Sequence, residues 1–283
     1  MKKIAQGLLA TFALVASATV FAAPKAEVLI LLSSETELPL QNGKTYSSGF
    51  YLNELGVPAD ELLKAGYTLT VVTPRGNQPK PDAHSIDPLY FGNNPDEMQR
   101  IAKVVEQVTA TSNIKSVRDV LNAGTGNYAG LFIPGGHAPL IDLSTNADVG
   151  KLLSHFHAAA KPTAAICHGP IALLAAQDNP MGYEKSMIDG KQGAAKNWIY
   201  SGYKMTIFSD AEEKVFEQSL NGEKLRYYPA QAMTQAGGKM NFATAWTPNV
   251  VTDRELITGQ NPFSDKALAK TFIAALNKQA GAN

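Results

Sequence analysis

Val28-Leu29-Ile30-Leu31-Leu32 is an unbroken apolar run. Successive side chains of a strand point to opposite faces, so a strand of this composition must be covered on both sides. That is the requirement of a central parallel strand between two helical layers. Similar short runs recur. Tyr67–Val72 is stopped by Thr73-Pro74-Arg75-Gly76, Leu131-Phe132-Ile133 by Pro134-Gly135-Gly136, and Thr163-Ala164-Ala165-Ile166 leads into Cys167. Helical stretches lie between them. One spans about Gly49 to Ala65. Another opens at Asn94-Pro95-Asp96-Glu97, with Asn as cap, Pro at the first position and Glu placed to close a capping box. In a third, Val149, Leu152, Leu153 and Phe156 recur at helical spacing. Downstream, Tyr203–Phe208 reads as a strand, Ser209-Asp210-Ala211-Glu212 as a capping box and Val250–Gly259 as a strand pair. A last helix runs from about Ser264 to Lys278. This alternation predicts an α/β fold with a mostly parallel sheet and helices on both faces. No repeat or linker divides 23–283, so one domain is expected, with insertions near 40–91 and 177–202 folded over the sheet as a cap.

The first residues have another purpose. Lys2 and Lys3 precede an apolar stretch from about Ile4 to Val20, and Val20-Phe21-Ala22 offers a small-residue cleavage site. This predicts a signal peptide over Met1–Ala22, a periplasmic destination and no membrane attachment after processing. The chain holds 25 basic and 25 acidic residues, with no basic stripe, which argues against nucleic acid as a partner.

Cys167 is the single cysteine, so it forms no intramolecular disulfide. Ala165-Ile166-Cys167-His168-Gly169-Pro170 follows a buried strand and precedes the apolar stretch Ile171–Ala176, the setting of a nucleophile elbow. Small residues stand two before and two after the cysteine, where a sharp turn leaves no room. A helix N-terminus behind the thiol is expected to favour the thiolate. His168 is a candidate base or imidazolium partner. Pro134-Gly135-Gly136-His137 ends the preceding strand, hence lies on the same sheet edge. The amides around Gly135, Gly136, His137 and Gly169 are candidates for binding substrate and an oxyanion.

Together, Tyr128-Ala129-Gly130-Leu131-Phe132-Ile133-Pro134-Gly135-Gly136-His137 and Ala165–Pro170 resemble the ThiJ/PfpI superfamily, whose flavodoxin-like fold is that of class I glutamine amidotransferase domains. Phe208-Ser209-Asp210-Ala211-Glu212-Glu213 and Leu256-Ile257-Thr258-Gly259-Gln260-Asn261-Pro262 are similar to its heat-shock chaperone and glutathione-independent glyoxalase III branch. The resemblance runs from about Glu27 to Leu276. It implies Cys167 as nucleophile, His168 as its adjacent histidine, Glu54 as a carboxyl beside the thiol and Glu213 as the acid orienting the histidine. A bacterial member of the branch has a metal site, but where its first histidine is expected this chain has Glu61 and Leu62. His84, His155 and His157 read as surface histidines, so no metal is expected, and no redox cofactor.

The resemblance further implies a small reactive carbonyl as substrate, glyoxalase III-type conversion of methylglyoxal to lactate, and a homodimer. Deglycase action on glycated proteins uses the same residues, as does amidase or peptidase hydrolysis by Cys-His-Glu. A holding chaperone for unfolded chains, or a thiol redox sensor, is the non-enzymatic alternative.

Overall fold

The computed structural model describes residues 25–193, 195–220 and 222–281, so the signal peptide expected over Met1–Ala22 lies outside the described residues. A seven-stranded sheet is built from β1 (Lys25–Leu31), β2 (Tyr67–Thr73), β3 (Ile114–Ser116), β4 (Tyr128–Ile133), β5 (Thr163–Ile166), β6 (Val250–Asp253) and β7 (Leu256–Gly259). Its order is β6-β7-β5-β4-β1-β2-β3. Every neighbouring pair is parallel except the β6–β7 hairpin.

The apolar runs meet the demand that both faces be covered. Along β1, Val28 and Ile30 enter one core with α1 (Leu52–Lys64), α2 (Pro95–Val108) and the last helix, α5 (Asp265–Ala280). Leu29 and Leu31 enter the other, with Val149, Leu152, Leu153 and Phe156 of α3 (Ala147–Ala158). All four β1 residues are fully buried, as period-two alternation between two helical layers requires. Among the described residues no helix is long and apolar enough to cross a membrane.

Four local expectations need correction. The helix expected from Gly49 begins at Leu52, because 49–51 is extended and bonded to the segment at 80–82: Phe50 N–H donates to Lys80 O at 3.0 Å and Asp82 N–H to Phe50 O at 2.8 Å. Asn94 caps α2 through Asp96 N and Glu97 N, but the Glu97 carboxylate turns to Arg100 Nε at 2.8 Å rather than closing a box. The stretch after Cys167 is a 3-10 helix, Gly169–Ala175. Of the strand expected at Tyr203–Phe208, only Lys204–Met205 pairs, with Lys239–Met240 and outside the main sheet. Side chains and a turn carbonyl take the amides a neighbouring strand would have used. Lys204 N–H donates to Asp253 Oδ2, Thr206 N–H to Thr258 Oγ1 and Phe208 N–H to Cys167 O. The capping box at Ser209 forms as expected and starts α4 (Asp210–Gln218).

Helices α1 and α2 cross closely because position 56 lacks a side chain. A Cβ on Gly56 would stand 2.3 Å from Ile101 Cγ2 and 2.8 Å from Val105 Cγ2. Gly56→Ala is expected to cost about 1–3 kcal/mol through overpacking, read as a lowered Tm. An unchanged Tm would show that the two helices slide apart freely.

Candidate active site

Cys167 closes β5 at the carboxyl edge of the sheet, where open α/β folds place their ligands. Its φ of 57° is left-handed, a conformation that costs a non-glycine residue about 1–3 kcal/mol and persists only when its surroundings impose it. They do so through both backbone polar groups: Cys167 N–H donates to Gly259 O at 2.9 Å, and its carbonyl accepts from Phe208 N at 3.0 Å. The turn tolerates no bulk beside it. A Cβ on Gly169 would lie 2.3 Å from Ile133 O, and one on Gly135 would lie 2.5 Å from Glu54 Oε2 and 2.6 Å from Cys167 Cβ. Gly136 has φ 81° and passes so close to Gly49 O that a Cβ there would stand 2.1 Å away. These glycines let three chain segments converge behind the thiol. Of the groups expected to bind substrate, His137 lines the cavity and the Gly136 amide acts on the sulfur, whereas Gly135, Gly136 and Gly169 are not among the lining residues and Gly169 is packed against β4.

His168 Nδ1 is 3.2 Å from Cys167 Sγ, and His168 Nε2 is 2.8 Å from Glu213 Oε2. Burial alone would raise Glu213, but His168 and His137 outweigh it and hold its carboxyl at about 2. An ionised Glu213 only accepts, so His168 Nε2 carries the proton and Nδ1 offers its lone pair to the thiol. Burial lowers the His168 pKa, His137 adds to the effect, and Glu213 opposes it. The thiol is 2% exposed, and burial pushes its pKa well above the ordinary value, with Glu54 acting in the same direction. This overturns the expectation that the following helix favours the thiolate. That helix is a short 3-10 turn, and desolvation prevails.

Glu54 arrives from the first turn of α1. Tyr51 N–H donates to Gly135 O, and Asn53 Nδ2 donates to Pro262 O and Asp265 Oδ2, fixing the helix over the elbow. Neither Glu54 carboxyl oxygen has a well-formed hydrogen bond. Burial pushes its pKa up to about 8; Cys167 and the Gly135 and Gly136 amides pull the other way, and Asp265 adds to the rise. At neutral pH it is a protonated acid beside a thiol.

His137 was expected to serve through its backbone, yet its side chain is part of the cluster. His137 Nε2 lies 2.8 Å from Glu213 Oε1, so one carboxylate is shared by two histidines whose ring centroids are 3.9 Å apart. His137 also stacks on Phe216, at 3.8 Å and 25°. The motif Gly135-Gly136-His137 pointed to the place but not to this contact. Glu213's neighbour Glu212, read only as a capping glutamate, accepts from Ser209 N, Ser209 Oγ, Gln260 Nε2, Trp246 N and Asn261 Nδ2. It ties the 246 loop and the end of β7 to the helix that presents Glu213.

His137, His168 and Glu213 could also hold a metal ion, their ligand atoms all lying within 4.8 Å of one another. Both Glu213 oxygens already accept from a ring Nε2, so the hydrogen-bonded arrangement satisfies the carboxylate with no ion. Elsewhere, His157 Nδ1 pairs with Glu255 Oε1 at 2.7 Å and is no free surface group, while His155 is exposed. His84 bonds Tyr46 OH at the rim of the cavity above Cys167. That cavity is about 220 Å³ and is walled by Tyr46, Tyr51, Tyr90, Phe208, Phe216 and Trp246. Three of these, with His84, come from the 40–91 stretch, and none from 177–202.

Comparison with known proteins finds relatives in sequence and in fold. The model of the DJ-1/PfpI family matches residues 46–182. The protein/nucleic acid deglycase HchA of Escherichia coli O157:H7 is 30% identical over 254 residues, 87% of this chain and 79% of that protein. HchA of Staphylococcus aureus (strain Newman) is 28% identical over 255 residues, 88% and 79% of the two chains. In fold, the chain resembles the 24 kDa rapid encystment protein of Francisella tularensis, with TM-score 0.69 and 23% identity over 89% of this chain and 99% of that one. It likewise resembles glyoxalase III of Candida albicans, with TM-score 0.62 and 23% identity over 88% and 97%.

Two predictions test the electrostatics. Glu54 is ionised in the unfolded chain above about 4.5 but keeps its proton in the folded chain up to about 8, so folding takes up a proton across that window. Stability from this group is present below the lower value and declines as pH rises towards the upper. Glu54→Gln should therefore gain Tm over wild type progressively from pH 5 to pH 8; a pH-independent difference would refute the raised pKa. His137→Phe keeps an aromatic ring against Phe216 but removes one donor from Glu213. The His168 midpoint, followed by NMR of its ring, should rise, because His137 is one of the groups that lower it. An unmoved midpoint would show that His137 does not act on the His168–Glu213 pair.

Proposed function

This chain belongs to the DJ-1/PfpI family, and we propose that it is a cysteine-dependent enzyme acting on small reactive carbonyls by glutathione-independent glyoxalase III-type chemistry. The observation that carries the reading is the line Cys167 Sγ–His168–Glu213, flanked by the buried Glu54 carboxyl, whose pKa burial raises to about 8. Such an array supplies a nucleophile, its base and a separate acid.

In this reading, substrate arrival lets His168 Nδ1 take the thiol proton. The sulfur bonds to the aldehyde carbon of a 2-oxoaldehyde, and Glu54 protonates the new alkoxide, giving a hemithioacetal. Glu54, now a carboxylate, removes the hydrogen from that carbon. The electron pair moves towards the ketone, whose oxygen takes the proton that His168 had drawn from the thiol, giving an enediol. Glu54 then protonates the second carbon and takes the proton of the first carbon's hydroxyl as that becomes a carbonyl. A thioester remains; water, activated by His168, hydrolyses it and returns the proton to the sulfur. One carbon is oxidised and its neighbour reduced by the same pair, and water supplies the oxygen. In this reading the Gly136 amide, which acts on the sulfur, holds the negative oxygen.

Hydrolytic release of glycated groups uses the same thioester-forming residues, and the deglycase names of the relatives support that variant. We carry export through cleavage after Ala22 and a homodimer as parts of the same proposal. N-terminal sequencing of periplasmic protein and light scattering test them.

Purified protein starting at Ala23 should convert methylglyoxal to lactate without glutathione. Cys167→Ala should abolish turnover, and His168→Ala should lower kcat by about 10²–10⁴-fold. No turnover from protein whose Cys167 is still alkylatable would sink the glyoxalase reading and favour hydrolysis or a protective thiol.

A further inference from the structure

The cavity wall holds chemistry that a three-carbon dicarbonyl would not use. Its rings touch one another in a continuous arc. Tyr46 meets Phe216 at 5.2 Å between centroids, Phe216 stacks on His137, His137 meets His168, His168 meets Phe208 at 4.7 Å, and Phe208 meets Trp246 at 5.6 Å. Tyr51 and Tyr90 form a second, edge-to-face pair at 5.4 Å among the lining residues. Among the described lining residues there is no Lys, Arg, Asp or Glu. Two buried carboxylates stand behind the wall, Glu213 on His137 and His168 and Asp82 on His84, and both repel an anion. Rings arranged offset or edge-on favour a further ring, beyond the area buried.

We propose that the preferred substrates of this site are 2-oxoaldehydes whose ketone carbon bears a bulky uncharged arm, an aryl group above all, rather than short or anionic dicarbonyls. This rests on the glyoxalase reading above. The overall change is that of the smaller substrate: an arylglyoxal plus water gives the 2-hydroxy-2-aryl acid, the aldehyde carbon being oxidised and the ketone carbon reduced, with no external oxidant. The aldehyde must reach Cys167 at the floor, so the arm lies along the aromatic wall, which meets solvent at Trp246, Val215 and His84. An ionised group on the arm meets no countercharge there.

The test compares kcat/KM of the chain from Ala23 for methylglyoxal, phenylglyoxal and 4-carboxyphenylglyoxal, each divided by its rate with a free small thiol to remove intrinsic electrophilicity. Phenylglyoxal should exceed both others by at least about tenfold, the scale set by one or a few apolar carbons in a fitted pocket. Trp246→Ala should reduce the phenylglyoxal-to-methylglyoxal ratio several-fold, with folding checked by Tm. Methylglyoxal equal to or better than phenylglyoxal would overturn the inference and leave the glyoxalase reading standing. Turnover of none of the three by protein with a reactive Cys167 would remove both.

Discussion

A carboxylate held in a dry interior must be matched by donors, and at Glu213 the match is two imidazole N–H groups, one on each oxygen. Removing a partner from such a buried ion costs about 3–5 kcal/mol, which makes the geometry around it strict. His168 cannot turn its Nδ1 away from the sulfur without surrendering its bond to Glu213. His137 cannot leave without exposing the other oxygen to an apolar wall. The orientation of the reactive pair therefore follows from satisfying one ion. Glu212 solves the same problem for the framework. Adjacent helix positions point to different sides, so Glu212 and Glu213 in the first turn of α4 divide the work: one gathers donors from the 246 loop and the end of β7, the other holds the two histidines. Their place in the first helical turn suits both charges.

Strain at Cys167 is held in place by the sheet. The residue sits at φ 57° with its N–H and carbonyl bonded to Gly259 and Phe208. Phe208 immediately precedes the Ser209 cap, so the chain that restrains Cys167 is the chain that delivers Glu213 five residues later. The elbow, the helix cap and the acid are thus mechanically one unit, closed by β7 from the other side.

Local physics made much of this legible in the sequence. Val28–Leu32 had to be covered on both faces, and it is. The spacing Ala165-x-Cys167-x-Gly169 marked a turn without room, and the distances from a virtual Cβ to Ile133 O show the missing space. The Ser209–Glu212 box is written in adjacent residues. What escaped was decided by tertiary neighbours. The segment after Tyr203 has strand-like composition, but its amides found side-chain and turn acceptors first. Glu54 is an unremarkable helical glutamate until α1 is laid over the elbow. Only the family resemblance singled it out. The aromatic wall draws on separate stretches, around 46–51, 90, 208–216 and 246, none of them a motif alone.

The two glutamates nearest the sulfur show how one residue type is pushed towards opposite protonation states. Both are fully buried, and burial pushes each towards the neutral acid. Two ring donors reverse that push for Glu213 and hold it at about 2, whereas Glu54, without a well-formed hydrogen bond, stays near 8. A strong donor beside Glu54 would stabilise the fold and ionise the acid, leaving no proton to give to an alkoxide. The same reasoning covers the thiol. With Glu54 neutral and Cys167 raised by burial, Glu213 is the negative charge next to His168, and in the proposed reaction it stabilises an imidazolium there once the thiol proton moves. The unsatisfied carboxyl is therefore the feature that keeps acid and base apart within a few ångströms of one sulfur.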